Sequence, residues 1–153
     1  MNKSLFALLG LVILVFTFSG CSKKNNQSEK DHQLILDYVQ SHNLNGEFTD
    51  SGLYYAIEDS GNAQHPTLQN YLNVDYKGYF LDDKVFDSGT NVDFPLSGVI
   101  AGWQEGLQLI GEGGKIKLIV PSALGYGDKQ YGSIPANSVL VFDVKLNRIV
   151  ILN

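Results

Sequence analysis

Leu72-Asn73-Val74-Asp75-Tyr76-Lys77-Gly78-Tyr79-Phe80 has a period of two: Leu72, Val74, Tyr76, Gly78 and Phe80 fall on one side of an extended chain, and Asn73, Asp75, Lys77 and Tyr79 on the other. Two later stretches repeat the pattern. Ile116, Leu118 and Val120 alternate with Lys115, Lys117 and Ile119; Leu140, Phe142, Val144 and Leu146 alternate with Val139, Val141, Asp143 and Lys145. Such segments read as half-buried strands of an antiparallel sheet, each with one face for a core. Leu53 to Glu58 is a fourth candidate and Lys84 to Asp87 a short fifth. Between them Trp103, Leu107 and Ile110 recur at i, i+4 and i+7, the apolar stripe of one short helix. The expected class is α+β: an antiparallel sheet of about five strands wrapped around one short α-helix, preceded by an N-terminal helix.

Working outward, residues 1–20 read as a signal peptide. Lys3 supplies a positive charge, Leu5 to Phe18 is almost wholly apolar, and Ser19-Gly20 puts small residues before Cys21. The apolar run is short for a permanent span, which needs roughly 20 residues; an uncleaved anchor is the alternative. Cys21 is the only cysteine, so no intrachain disulfide can form. Without residues 1–20, 10 basic residues stand against 16 acidic ones, a formal charge of −6. That balance argues against nucleic acid and against electrostatic adhesion to anionic lipid. The segment 21–32 lacks apolar side chains over Ser22 to Asp31 and reads as a flexible tether. In the next segment, 33–46, Leu34, Ile35, Tyr38 and Val39 have helical spacing, with Asn45-Gly46 as a stop. So short a helix must pack on the main domain or on a second copy. Residues 47–153 are one domain's worth.

Within that domain the chemistry-bearing residues are Tyr76, Val85-Phe86-Asp87-Ser88, Val99-Ile100-Ala101-Gly102-Trp103, Gly125-Tyr126-Gly127 and Ile134-Pro135. They offer apolar walls and a few hydrogen bonds, with no metal set, no Ser/His/Asp order and no phosphate loop. His32 and His42 lie about 80° apart around a helix and nearly three turns along it, too far to share a metal. His65 before Pro66 reads as solvated. Gly111-Glu112-Gly113-Gly114-Lys115 precedes a strand and lacks the Gly-Lys-Ser/Thr ending, so it is a turn.

In order and spacing, these motifs from about Leu53 to Leu146 resemble the FKBP-type peptidyl-prolyl cis/trans isomerases. The resemblance implies rotation about Xaa–Pro bonds of protein substrates without a cofactor or metal, and a pocket open to macrolides of the FK506 and rapamycin type. It assigns Trp103 to the pocket floor, Tyr76, Phe86 and Asp87 to the walls, and the Ile100 N–H and Tyr126 hydroxyl to the substrate carbonyl. Val92, Val99, Ile134 and Phe142 carry over as further substrate-binding residues. Val92 replaces an aromatic of the small members, Ala101 a commoner Arg or Pro, and the loop Gly127 to Ser133 differs in length and charge from theirs. From the residues alone, Tyr76, Phe86 and Trp103 read as core, Asp87 as a turn cap or a hydrogen-bonded wall, and Tyr126 as a loop tyrosine or a donor.

Cys21 after Ser19-Gly20 is similar to the lipobox of bacterial lipoproteins, with Phe18 in place of the usual Leu. This implies acylation of Cys21 and a lipid anchor. Ser22, in place of Asp, points to the outer membrane facing the periplasm. The expected function is a membrane-tethered folding catalyst of the envelope. The alternative is a non-catalytic binding or chaperone module serving an envelope assembly such as secretion or gliding machinery.

Overall fold

The computed structural model describes residues 22–150. The expected signal segment 1–20 and Cys21 lie outside them. Six strands form one antiparallel sheet: β1 (Glu47–Phe48), β2 (Tyr54–Asp59), β3 (Tyr71–Phe80), β4 (Val85–Pro95), β5 (Lys115–Val120) and β6 (Leu140–Val150), in the order β1-β2-β5-β6-β3-β4. The long β3–β6 ladder, from Tyr71 opposite Val150 to Phe80 opposite Leu140, is the backbone of the sheet.

The alternating residues sort as their period requires. Leu72 and Val74 of β3, Ile116, Leu118 and Val120 of β5, and Leu140, Phe142, Val144 and Leu146 of β6 are buried in one cluster with Trp103, Leu107 and Ile110. Of the expected apolar stripe, Trp103 lies in α2 (Ala101–Gly106), Leu107 in a 3₁₀ turn over Leu107–Leu109, and Ile110 just past that turn in extended backbone. Two glycines let α2 lie against β5. A Cβ on Gly102 would stand 2.6 Å from a Val120 methyl, and one on Gly106 would collide with Leu118.

Two expectations are corrected. The run Ser22 to Asp31 is not a tether: α1 spans Ser22–Ser41 as one helix. Its Lys, Gln and Glu residues are good helix formers, and Asp31 is only 1 % exposed. The stop comes at Asn43, which takes the left-handed φ of 51° that Asn tolerates, ahead of Asn45-Gly46. The fifth strand is also much longer than Lys84 to Asp87. Register shifts opposite Val74/Tyr76 and Gly78/Tyr79 break its alternation, which hides it from a search for period two.

Of the two partners open to the N-terminal helix, it takes its own domain. Ile35 and Tyr38 pack with Tyr54, Tyr79, Ile119, Val139 and Val141 in a second cluster. Ile119, Val141 and Tyr79 belong to the side of the strands opposite the main core, so the sheet is covered on both faces here. At the margin of this cluster Lys117 Nζ donates to the Tyr79 hydroxyl at 2.7 Å and pairs with Asp143.

Candidate active site

Trp103 lies in the first turn of the helix that the sheet wraps, and around it the strands deliver aromatic rings. Tyr76 from β3 meets it edge-on with ring centroids 5.3 Å apart, and Phe142 from β6 does so at 5.2 Å. Phe86 from β4 stands edge-on to Phe142 at 5.6 Å. Such T-shaped pairs place the positive ring edge on the negative face and add to the burial energy. Gly78 makes room for this arrangement, since a Cβ there would come within 2.9 Å of both Phe86 and Phe142. The Trp103 indole N–H is buried and has no acceptor among the described residues.

The polar groups sit at the edge of this floor. The Tyr76 hydroxyl donates to Asp87 Oδ2 at 2.7 Å, while Asp87 Oδ1 accepts from the Ser88 N–H at 2.9 Å. Wall and turn cap are therefore both roles of one carboxylate. Asp87 is exposed, so it does not carry the burial cost that a core-facing strand would impose. Burial, together with the bond to Asp87 and its charge, pushes the Tyr76 phenol up to about 12. Tyr126 is also held above the ordinary tyrosine range, first by burial and then by Tyr131 and Asp87. Both phenols are donors at neutral pH. The Tyr126 hydroxyl and the Ile100 N–H have no acceptor among the described residues, and both residues pack on the Trp103 cluster.

Ile100 is held by the helix it precedes. Its carbonyl accepts from the N–H groups of Trp103 and Gln104 at 3.0 and 3.1 Å, and the Gln104 side chain donates to the Val99 carbonyl at 2.8 Å. Tyr126 sits in a turn where Gly125 and Gly127 both donate to the Ser122 carbonyl, at 3.1 and 2.8 Å, with Gly127 at a φ of 72°. That conformation is cheap only for glycine.

Val99 and Ile134 join the same cluster. Val92 does not. It flanks Gly89 beside Tyr76, and the aromatic ring from this part of β4 that reaches Trp103 is Phe94, with centroids 5.5 Å apart. Sequence reasoning passed over Phe94, Gln104 and Tyr131. Tyr131 is 62 % exposed, and its ring stacks on Tyr126 at 4.4 Å and 10°. Paired hydrogen bonds between Tyr131 and Ile134 close the loop that presents it. Its signal was an aromatic in an otherwise polar loop. Ala101 is exposed at the rim, and His65 donates through Nδ1 to the Gln108 carbonyl at 2.9 Å.

Comparison with known proteins places this geometry. Residues 62–147, more than half of the chain, match the family model of the FKBP-type peptidyl-prolyl cis-trans isomerases. The FKBP-type peptidyl-prolyl cis-trans isomerase FkpA of Aeromonas hydrophila is 47% identical over 102 residues, covering 64% of this chain and 38% of the relative. The chain thus spans well under half the length of the curated relatives it matches. The crystal structure of FkpA from Escherichia coli superposes with a TM-score of 0.72 at 35% identity, over 82% of this chain and 62% of that one. A peptidyl-prolyl cis-trans isomerase from Pseudomonas syringae pv. tomato does so with 0.70 at 26% identity, over 86% and 98%. With sequence, fold and the aromatic floor in agreement, the chain belongs to the FKBP-type peptidyl-prolyl cis-trans isomerase family.

Proposed function

We propose that this chain catalyses cis/trans isomerisation of Xaa–Pro bonds in exported proteins, tethered by lipid in the cell envelope. The observation that carries the catalytic part is the aromatic floor around Trp103 with two donors beside it, the Ile100 N–H and the Tyr126 hydroxyl, that have no acceptor among the described residues.

Rotation about an Xaa–Pro bond meets a barrier of roughly 20 kcal/mol because the nitrogen lone pair is delocalised into the carbonyl. Twisting removes that delocalisation and its charge separation. The ring cage of Tyr76, Phe86, Trp103 and Phe142 seats the proline and strips water from the amide, which favours the less dipolar twisted form. The Ile100 and Tyr126 donors meet the rotating carbonyl best at the twist, so binding is stronger in the transition state than in the ground state. An acceleration of about 10⁴ requires some 5.5 kcal/mol, within reach of a few hydrogen bonds plus desolvation. Asp87 keeps Tyr76 in place through the 2.7 Å bond and transfers no proton. A macrolide of the FK506 or rapamycin type would compete for the same cage.

The location rests on the sequence. Acylation at Cys21 would supply the anchor, since several chains hold far more firmly than one, and Ser22 favours the outer membrane facing the periplasm. Refolding of a protein limited by an Xaa–Pro bond tests the activity. Wild-type chain should abolish the slow phase and Phe86→Ala should leave most of it. A folded chain that raises refolding yield but not rate would support a chaperone instead. Labelled palmitate should enter the chain and be lost in Cys21→Ser; equal labelling of both would remove the anchor at that residue.

A further inference from the structure

A buried carboxylate of the N-terminal helix lies outside the mechanism above. Asp31, 1 % exposed on α1, accepts through Oδ2 from both the N–H and the hydroxyl of Ser122, at 2.9 and 2.6 Å. Its other oxygen accepts from Gln27 of the same helix at 2.6 Å. Ser122 is itself 3 % exposed. Its carbonyl is the single acceptor for the N–H groups of Gly125 and Gly127, the two residues that flank Tyr126. Two bonds therefore fix the serine on one side, and the serine fixes the turn on the other. Within the protein the Tyr126 hydroxyl has no acceptor among the described residues, so the backbone turn and the Tyr131 stack decide where it points.

We infer that Asp31 is a positioning residue for the isomerase site: the N-terminal helix aims the Tyr126 hydroxyl through Ser122. The inference rests on the activity proposed above and adds to the catalytic unit a helix that the family match, residues 62–147, does not include. Placement of a donor matters most where binding is strongest, at the twisted amide, so the loss should appear in kcat more than in KM.

The test is a double-mutant cycle on the full chain, read as kcat and KM for a proline peptide. Asp31→Ala should lower kcat/KM about five-fold, mainly through kcat, and should cost nothing further in a Tyr126→Phe background. Asp31→Asn keeps an oxygen for both Ser122 donors and should restore activity to within about two-fold. Amide exchange at Gly125 and Gly127 should quicken in Asp31→Ala and not in Asp31→Asn. Equal losses from Asp31→Ala in both backgrounds, or no loss in either, would overturn the inference while leaving the isomerase reading in place. A wild-type chain without activity would overturn both. If Asp31→Ala does not fold, Ser122→Ala takes its place in the cycle, with about a two-fold loss expected only when Tyr126 is present.

Discussion

At the scale of single residues, the site depends on donors that keep their protons. Removing one with Tyr126→Phe should lower kcat/KM about ten-fold, the value of one hydrogen bond of roughly 1.4 kcal/mol realised at the transition state. Because Tyr76 titrates only at about 12 and Tyr126 above the usual range, kcat/KM should stay flat from pH 5 to about 9. A pH–rate profile with a midpoint in that window would assign a proton transfer that the geometry does not provide. Tyr131→Ala should change the preference for the residue beside the proline more than it changes the best kcat/KM, since its ring lies over Tyr126 and outside the cage. A panel of Xaa–Pro peptides decides this. The cage residues were legible in the sequence through the family motif, which carries Tyr76, Phe86, Trp103, Tyr126 and Phe142 as a spaced set. Phe94 was not, because it lies beyond the bulges of β4, where counting by two no longer tells which side faces the core. Asp87 was legible as a turn cap or a hydrogen-bonded wall but not as exposed, since a flanking Phe says nothing about how far a carboxylate leans out.

At the scale of elements, the close approach of α2 to β5 sets Trp103 against the strands that bear its neighbours. Gly102→Ala would force a methyl to 2.6 Å from Val120 and should cost about 1–3 kcal/mol by overpacking. It should appear as a lower urea midpoint at unchanged slope; an unchanged midpoint would mean that α2 shifts freely. The existence of β3, β5, β6 and α2 was legible because a period of two or of 3.6 marks each of them. The extent of α1 was not. Its first half has no apolar residue in the sequence to mark it, and the bond from Ser122 to Asp31 joins residues 91 apart in the chain, which no local pattern records.

At the scale of the whole molecule, the sheet has a core on each face, and the second one joins α1 to the domain. Tyr38 and Tyr79 meet there and, with Tyr76 at the site, have folded-state values above the ordinary tyrosine value of 10.0, chiefly through burial. A raised value means that the folded form holds its protons more tightly than the unfolded one. The corresponding stability is therefore fully present below about pH 10 and is lost as pH rises from there through the folded values. Urea midpoints should accordingly be level near neutrality and fall above about pH 10, and a midpoint that holds level to pH 12 would contradict the burial of these rings. The central claim, that the Trp103 cage twists a prolyl amide, is tested most directly by exchange NMR on a Leu-Pro or Phe-Pro peptide with the full chain, beside Phe86→Ala and Tyr126→Phe. The account predicts cis–trans exchange accelerated well beyond the unaided rate, reduced severely by the first variant and about ten-fold by the second. No acceleration from a folded wild-type chain would contradict it.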